Sequence, residues 1–339
     1  MADVAERAGV SKTAVSLVLN DRPGTRLSKD VADRVRAAAA ELDYRPNPAA
    51  RTLRKGTSQI VGFISDEVTI TRYASAMIRG ALDIAQQHEH TVLIAETGIN
   101  RERRDRAVQT VLDQRPDGLI FGLMGARQIE VPTIPADLPV VILNGISAAD
   151  HPSVLPAEFS AGSDVAEALV VAGHRRIGLI GSAGLDVVDP RVSATIGDRL
   201  AGIRAVLAQA GVAVVEVGAG LEWEPQLGHR TTHEILDAHP QLSGLICLND
   251  RLAFGAYQAL QERGRHIPDD ISVVSFDDDE IAAYLRPQLT TARIPYEEMG
   301  RQAMAMVLDR TEDRFRRRRV PMPVQHRGSV GPPQLSASM

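Results

Sequence analysis

Hydrophobic and polar positions near the start of the chain follow the period of short amphipathic helices. In "SKTAVSLVLN", apolar side chains recur three and four residues apart at Val15, Val18 and Leu19, which predicts one buried stripe. Ser11 stands at the N-cap position of this helix. A shorter helix, "DVAERAGV", precedes it, and Gly9 supplies the tight corner between the two. The pattern therefore predicts a helix-turn-helix unit.

Two further helical segments are predicted before residue 58. The first is "SKDVADRVRAAAAELDY", in which Ser28 is the expected N-cap. Its buried stripe is expected to comprise Val31, Val35, Ala38, Ala39 and Leu42. The second is "RPNPAARTLRKG", where Asn47 suits the N-cap and Gly56 the terminator. A helix of about two turns is marginal in water, so we expect it to form only against a partner.

From residue 58 onward, short apolar runs alternate with helical stretches, which is typical of a parallel α/β architecture. Strands are predicted at "IVGFI", "TVLIA", "DGLIFGL", "PVVIL", "RIGLIG", "VAVVEV", "SGLICL" and "ISVVSF". Helices are predicted at roughly 74–87, 103–114, 160–172, 199–209, 228–238, 251–263 and 296–309. "PDGLIFGLM" corresponds to "LSGLICLND" and "PVVILNG" to "SVVSFDD", so we expect two similar lobes. The chain is expected to cross between them near 154–162 and 289–295.

Charge is divided unevenly along the chain. Residues 1–56 hold 11 Lys/Arg and 7 Asp/Glu, a net charge of +4, and include all three lysines. The remaining 283 residues hold 27 and 36, a net charge of −9, which gives −5 in total. A basic head on an acidic body indicates a nucleic-acid-binding module joined to a domain that does not bind nucleic acid. The alternative for the head is an ordinary helical hairpin with a polar solvent face.

The short basic segment at 46–57 carries one apolar side chain among cations. Leu53 lies between Arg51, Arg54 and Lys55, a composition suited to a wedge between base steps with cations on flanking phosphates. The alternative is a basic linker whose leucine packs on the next domain.

These segments together resemble the lactose-repressor (LacI/GalR) family of bacterial transcription regulators over nearly the whole chain. The matching stretches, in order, are "DVAERAGVSKTAVSLVLN", "AAAAELDYRPNPAARTL", "LND…AFGAYQAL", "ISVVSFDD" and "LTTARIPYEEMG". The resemblance places Lys12 and Thr13 at base-reading positions and Leu53 at the position of a minor-groove leucine. Leu17 departs from the arginine common in the family, and could instead contact a thymine methyl. The turn "DRPGTR" is also longer than in the founding member of the family. The resemblance does not extend to the operator sequence.

The resemblance and the patterns together predict the fold class and the domain boundaries. We expect an α/β protein with an all-α helix-turn-helix headpiece and hinge helix, followed by a two-lobed, periplasmic-binding-protein-like sensor domain. The expected boundaries are headpiece 1–45, hinge helix and linker 46–57, two-lobed body 58–330 and tail 331–339. Within the body, the first lobe is expected at about 58–156 and 292–312, and the second at about 160–288 and 316–328.

The predicted DNA-binding residues lie on the second helix, at the start of the third and in the hinge. They are Ser11, Lys12, Thr13, Ser16, Leu17, Asn20, Ser28, Asn47, Ala50, Arg51, Leu53, Arg54 and Lys55. Double-stranded operator DNA is accordingly the predicted macromolecular partner.

A ligand cleft is predicted beyond the carboxyl ends of the parallel strands, where such folds bind small molecules. Ser65, Asn144 and Asn249 follow strands there, and the resemblance implies effector contacts for Arg199, Asn249 and Asp277. The predicted effector site comprises Ser65, Tyr73, Asn144, Arg199, Trp223, Asn249 and Asp277. Arginine, carboxylates and amides suit a polyol, whose hydroxyls both donate and accept hydrogen bonds. The structural alternatives are that Asn249 or Asp250 caps a helix and that Arg199 pairs with Asp198.

Catalytic and metal chemistry are not predicted. No phosphate loop, dinucleotide fingerprint or nucleophile elbow occurs, so an enzyme is disfavoured, and no cofactor is expected. The consecutive carboxylates of "FDDDE" at 276–280 cannot all converge on a metal, and the histidines of "HEILDAH" at 233–239 fail the zinc spacing. We read "RFRRRR" at 314–319 as an exposed face. The single cysteine, Cys247, excludes an internal disulfide.

The sequence thus predicts a cytoplasmic homodimer that represses transcription and leaves a pseudo-palindromic operator when a small effector binds. A sugar is the favoured effector. The open alternative is a corepressor-type regulator that binds a non-sugar ligand such as a nucleobase. An exported solute-binding protein shares the two-lobed cleft, but no signal peptide or membrane segment is expected here, and the basic head has no role in it.

Overall fold

The computed structural model describes residues 1–19, 27–44, 56–66, 72–98, 100–183, 185, 188–212, 214–219, 222–309 and 317–334. The chain divides into two compact units. One is made of residues 1–60 and 114–117, and the other of residues 61–113 and 118–339. Seven predicted DNA-contact positions lie outside the described residues: Asn20, Asn47, Ala50, Arg51, Leu53, Arg54 and Lys55.

Three helices form the N-terminal part of the first unit: α1 Ala2–Ala8, α2 Lys12–Leu19 and α3 Lys29–Glu41. The corner between α1 and α2 has Gly9 at φ 66°, a left-handed conformation that glycine adopts without strain. Ser11 Oγ accepts a hydrogen bond from Ala14 N at 3.1 Å, so Ser11 caps α2. The helices enclose an apolar core that includes Val4, Val15, Val18, Val35, Ala38 and Ala39.

The predicted burial of one residue in the α3 stripe is wrong. Leu42 is 44% exposed rather than buried, because α3 ends at Glu41 and the helical period no longer applies. The chain turns through Asp43 at φ 43°, and Tyr44 packs against the headpiece core instead.

The body contains two six-stranded sheets and eight helices within the described residues. Its strands are β1 Ile60–Ser65, β2 Thr91–Glu96, β3 Gly118–Ile129, β4 Val140–Ser147, β5 Ser153–Pro156, β6 Ile177–Ala183, β7 Val214–Ala219, β8 Gly244–Cys247, β9 Ser272–Asp277, β10 Thr290–Arg293, β11 Arg317–Val320 and β12 Val324–Gln325. Its helices are α4 Arg72–Gln87, α5 Arg101–Leu112, α6 Glu158–Ala172, α7 Ile196–Gln209, α8 Pro225–Ala238, α9 Asp250–Glu262, α10 Glu280–Tyr284 and α11 Tyr296–Leu308.

The two sheets have the same strand order, which supports the prediction of two similar lobes. The first sheet runs β2-β1-β3-β4-β5-β11 and the second β7-β6-β8-β9-β10-β12. Parallel pairing joins β1 to β3 and β6 to β8, as expected for apolar strands linked by helices. Each lobe has its own core, around Phe63 and Ile120 in the first and Leu179 and Ile246 in the second.

The predicted assignment of 316–328 to the second lobe is corrected by the sheet pairing. Strand β11 pairs in parallel with β5, so residues 317–320 belong to the first sheet, and only β12 joins the second. The chain therefore crosses between the lobes again at 321–323. The sequence pattern missed β5, β10, β11 and β12 because each is at most four residues long and lacks the run of three or more apolar residues that marks the equally short β8.

His174 is a buried polar anchor of the second lobe, directly after α6. Its Nε2 donates to Gly331 O at 2.9 Å, and its Nδ1 accepts from Ser243 Oγ at 3.0 Å. The ring therefore ties the segment after β12 to the sheet. Burial lowers the pKa of His174, so the folded state holds the imidazole neutral.

We expect His174→Ala to reduce the free energy of unfolding by about 3 kcal/mol, because it leaves a cavity and buried polar groups without partners. Since its pKa is lowered on folding, the contribution of His174 is complete above about pH 6.5 and is lost as the pH falls below that value. Urea unfolding of wild type and variant at pH 7.5 and 5.5 should show a smaller difference at pH 5.5. An equal difference at both values, or a similar loss in the exposed control His88→Ala, would contradict this role.

A candidate nucleic-acid interface and a candidate ligand site

The solvent face of α2 carries the predicted base-reading groups. Lys12 and Thr13 are exposed, and Ser16 and Leu17 are half-buried beside them. Ser28 Oγ accepts a hydrogen bond from Val31 N at 3.4 Å, so Ser28, like Ser11, has a capping role. The face can therefore offer one cation and several hydrogen-bonding groups to a groove, as helix-turn-helix units do near the N-terminus of their second helix.

The edge of the first lobe gathers three polar residues at the end of β1 and within β4, of which Ser65 and Asn144 were predicted. Asn144 Nδ2 donates to the carbonyls of Leu123 and Met124 at 2.9 and 3.1 Å. Asp66 accepts from Arg127 Nη2 at 2.7 Å, which neutralises that cation. Ser65 Oγ is buried without a hydrogen-bond partner among the described atoms. Because buried hydroxyls are normally satisfied, this group is available to a ligand or water.

Arg199 on α7 is held by a buried ion pair in the second lobe. Its Nε and Nη2 donate to the two carboxylate oxygens of Glu158 at 2.7 and 2.8 Å. Its Nη1 donates to Leu248 O at 2.6 Å. Burial alone would lower the pKa of Arg199, but the charge of Glu158 outweighs it and the pKa is raised. The suggested pairing with Asp198 is wrong, because Asp198 faces Arg319 instead.

Aromatic rings enclose this guanidinium. The carbon centre of the Arg199 guanidinium lies 4.4 Å from the centroid of the Phe276 ring and 6.0 Å from that of Trp223. Trp223 is half-buried, and its Nε1 donates to Gly181 O at 3.2 Å, which holds the indole in place. The structure thus brings together Trp223 and Arg199, two of the predicted effector residues, and the half-buried indole offers a flat apolar face.

Asp277 lies at the end of β9 beside this ion pair, with φ 108°. Burial is the main cause that raises its pKa, and the nearby charge of Arg199 opposes the shift. Asp250 and Glu158 add to the rise by like-charge repulsion. Asp277 is therefore a carboxyl group that a partner able to donate hydrogen bonds would stabilise in its charged form.

Asn249 caps a helix, which is the structural alternative that the sequence offered. Its Oδ1 accepts from Leu252 N at 2.8 Å, so it caps α9, and its Nδ2 donates to Trp223 O at 3.2 Å. Asn249 thus positions Trp223, and a direct effector contact stays a prediction.

Asp250 was not predicted as an effector residue, yet it organises the loop that carries Asp277. This buried carboxylate accepts hydrogen bonds from the hydroxyls of Ser275 and Thr291 and from Asp279 N, the last two at 2.8 and 2.7 Å. Burial raises the pKa of Asp250 to about 7. From the sequence, Asp250 was considered only as a possible helix cap.

The two lobes touch at several points of the second unit. Tyr73 Oη, on α4 of the first lobe, donates to Asp279 in the second, and the ring of Tyr73 lies 5.2 Å from that of Tyr296. Burial and this hydrogen bond raise the pKa of Tyr73. Nearby, Gln128 N donates to Pro190 O at 2.7 Å across the same junction. We call Tyr73, Arg199, Trp223, Phe276 and Asp277 the interlobe site.

The other predicted residues are distributed differently. Ser65 and Asn144 make their described contacts within the first lobe and are not joined to Arg199 by a direct contact. Glu158 and Tyr296 interact electrostatically with Asp277, but the sequence did not single them out. Glu158 reads as an ordinary acid in the first turn of a helix, so only its pairing 41 residues away shows its role.

The described residues of the two charged runs agree with the sequence prediction, while residues 314–316 of "RFRRRR" lie outside the described part of the chain. Asp278 pairs with Arg293 and Arg327, while Asp279 bonds Tyr73, so the carboxylates of "FDDDE" diverge rather than converge. In the "RFRRRR" run, Arg317 pairs with the surface residue Asp150. Each helix in the described part of the chain is too short or too polar to cross a bilayer.

Comparison with known proteins agrees with this architecture. Residues 1–47 match "Bacterial regulatory proteins, lacI family", and residues 166–330 match "Periplasmic binding protein-like domain". The HTH-type transcriptional regulator AscG of Escherichia coli (strain K12) is 32% identical over 91% of this chain and 90% of its own length. The ribose operon repressor of Haemophilus influenzae is 29% identical, covering 92% of each chain.

A solved structure extends the likeness to three dimensions. The lac repressor dimer bound to operator and the anti-inducer ONPF matches with a TM-score of 0.77 and 25% identity, over 97% of this chain and 98% of that one. A helix-turn-helix unit joined to a two-lobed binding domain defines the class of ligand-responsive transcriptional regulators. The chain belongs to the lacI family of bacterial regulatory proteins. It is therefore a regulator that binds operator DNA and a small effector, and not an enzyme.

Proposed function

We propose that this protein acts in the cytoplasm as a homodimeric repressor, which leaves its operator when a neutral sugar occupies the interlobe site. The observation that carries the proposal is the buried Arg199–Glu158 pair beside Asp277 and Trp223. The site supplies hydrogen-bond donors, a hydrogen-bond acceptor and an aromatic ring at one place. These are the groups that bind a polyol.

The charge balance of the site favours a neutral ligand. Glu158 neutralises Arg199, and Asp66 neutralises Arg127 at the first-lobe edge. The cation of the interlobe site, among the described side chains, therefore already has a counter-charge, so the site offers little attraction to an anionic ligand. Arg199 uses three of its five N–H groups on described acceptors, and the others can donate to hydroxyl oxygens.

The proposed dimer has support in the surface of the first lobe. Leu82 on α4 and Leu93 and Ile94 on β2 are exposed large hydrophobic residues on elements that contact each other. Grouped apolar side chains on a surface commonly mark an interface. The lac repressor, a structural neighbour, is a dimer on its operator. Two headpieces on two half-sites would explain a pseudo-palindromic target.

The proposed switch follows from the interlobe contacts. A ligand that bridges Asp277 and the first lobe would change how Tyr73 meets Asp279, and so the orientation of the lobes. Ligand and operator binding must then be linked reciprocally, typically by about 1–3 kcal/mol.

A ligand screen followed by operator titration tests the function. Thermal-shift assays with neutral sugars, sugar phosphates and nucleobases should show stabilisation by a neutral sugar. The same sugar should weaken binding to a fragment of the protein's own promoter by tenfold or more in fluorescence anisotropy. If only anionic sugars or nucleobases stabilise the protein, the proposed effector is wrong. If no promoter fragment is preferred over random duplex at moderate salt, the operator proposal fails.

Leu53→Ala tests the proposed wedge in the hinge segment. We expect about 30-fold weaker operator binding, since loss of an intercalating side chain removes part of the energy that offsets unstacking. Sugar affinity should stay unchanged. Leu42→Ala, at an exposed headpiece leucine, is the matched control and should bind operator normally. Operator affinity for Leu53→Ala equal to that of the control would remove the wedge.

A further inference from the structure

We propose that His229, His233 and Glu262 form a binding site for a divalent transition-metal ion such as Zn²⁺, separate from the interlobe site. The two histidines lie four residues apart on α8, and Glu262 is the last residue of α9. Their Nε2 atoms lie 2.9 and 3.1 Å from the same oxygen of Glu262. One potential ligand atom from each residue lies within 4.8 Å of the other two.

The geometry fits a tetrahedral ion with an open position. Zinc takes imidazole nitrogen and carboxylate oxygen at about 2.0–2.2 Å, which separates neighbouring ligands by roughly 3.3–3.5 Å. The two nitrogen–oxygen spacings are close to that range, so small side-chain rotations would admit the ion. Water would complete the coordination.

The two helices are held rigidly at the spacing that the site needs. A Cβ at Gly228 would lie 2.1 Å from Leu252 O, and one at Gly255 would lie 2.0 Å from Pro225 O. Only glycine permits this close backbone approach. The ligands are therefore presented by two packed helices rather than by loops, which reduces the entropy lost when the ion binds.

A neighbouring arginine defines the proton movement that binding requires. Arg263 Nε donates to His233 Nδ1 at 2.9 Å, so in that tautomer the proton of His233 lies on Nε2. When Nε2 binds the metal, its proton moves to Nδ1, and Arg263 gives up this bond. Arg263 Nη2 already donates to Asp237 and to His233 O, so the arginine keeps acceptors.

The sequence shows His229 and His233 four residues apart, but it does not show that Glu262 lies beside them. The "HEILDAH" motif pairs His233 with His239, six residues away, whereas the structure pairs His233 with His229 and with a glutamate 29 residues distant. The usual surface alternative is a pair of imidazole–carboxylate contacts with no metal.

Titration of tag-free, full-length protein with Zn²⁺ tests the site. Isothermal calorimetry at pH 7.5 should show saturable Zn²⁺ binding that is at least tenfold weaker in His229→Gln, His233→Gln and Glu262→Gln. His88→Ala, at an exposed histidine of the first lobe, should bind as the wild type. Co²⁺ should give the visible absorption of a tetrahedral complex, and the three variants should lose it.

Two results would overturn the proposal. One is the absence of saturable Zn²⁺ binding by the wild type up to 100-fold molar excess. The other is wild-type affinity in the His229 and His233 variants, which would place any bound zinc elsewhere. Circular dichroism confirms that the variants fold; these two side chains are 36% and 31% exposed, so their replacement should be tolerated.

Discussion

Replacing Glu158 with glutamine is expected to lower the free energy of unfolding of the two-lobed unit by about 3 kcal/mol. The substitution leaves the guanidinium of Arg199 buried without a counter-charge, and breaking one side of a buried pair typically costs about 3–5 kcal/mol. The single tryptophan, Trp223, lies beside this pair and reports its unfolding in urea by fluorescence. Glu167→Gln, at an exposed position of the same helix, is the control and should unfold as the wild type.

A double variant separates the two roles of the pair. Glu158→Leu with Arg199→Met removes both charges, and apolar replacement of a buried ion pair is often neutral for stability. We expect the double variant to recover most of the lost stability while sugar no longer releases it from the operator. If Glu158→Gln is as stable as Glu167→Gln, the pair does not hold the second lobe together. If the double variant still responds to sugar, Arg199 does not bind the effector.

Asp277→Asn is expected to abolish the response to sugar while operator binding persists. The charged carboxylate is the proposed acceptor for sugar hydroxyls, and loss of its charge-assisted bonds should weaken sugar binding about 100-fold, or about 3 kcal/mol. Asparagine tolerates the left-handed backbone at this position better than alanine, so the fold should be kept. Trp223 fluorescence measures sugar affinity, and anisotropy measures operator affinity.

The control for Asp277→Asn is Asp269→Asn, at an exposed position before β9. It should keep wild-type affinity for both ligands. Normal release of Asp277→Asn by sugar would show that the effector binds without this carboxylate, and would move the proposed site away from the end of β9.

These expectations depend on residues that the chain order separates and the fold joins. Asp250 illustrates the point: it caps no helix itself, yet it links β9, β10 and the loop that holds Asp279. That loop meets Tyr73 of the first lobe. Through the hydrogen bond between Tyr73 and Asp279, changes at Asp277 can alter the junction between the lobes.

Sequence patterns predicted the regular elements well where the period was long enough. The helix-turn-helix corner at Gly9, the caps Ser11 and Ser28, and eight apolar strands are all observed. The sequence patterns failed where an element was short and lacked an apolar run, as at β10. They also failed where a helix ended before the last residue of its predicted buried stripe, as at Leu42. The order of the two sheets agrees with the predicted correspondence of the two halves.

The structure brings some of the predicted effector residues together and gives another a structural contact, while their contacts with an effector stay predictions. Arg199, in the first turn of α7, lies near Trp223, in the segment before α8, and also over the ring of Phe276 on β9. Asn249 instead caps α9, since an amide at that position meets the free N–H groups of a helix start. Pairing partners such as Glu158 carry no local signal.

Amino-acid order by itself determined the helical headpiece, the alternation of strands and helices, and the basic head on an acidic body. These depend on local periodicity, capping and charge, which act between neighbours along the chain. Only the tertiary structure decided that Glu158 neutralises Arg199, that Tyr73 meets Asp279, and that Glu262 lies between His229 and His233. Such contacts join residues 29 to 206 positions apart, and their formation depends on how packed helices and sheets bring distant side chains within a few ångströms.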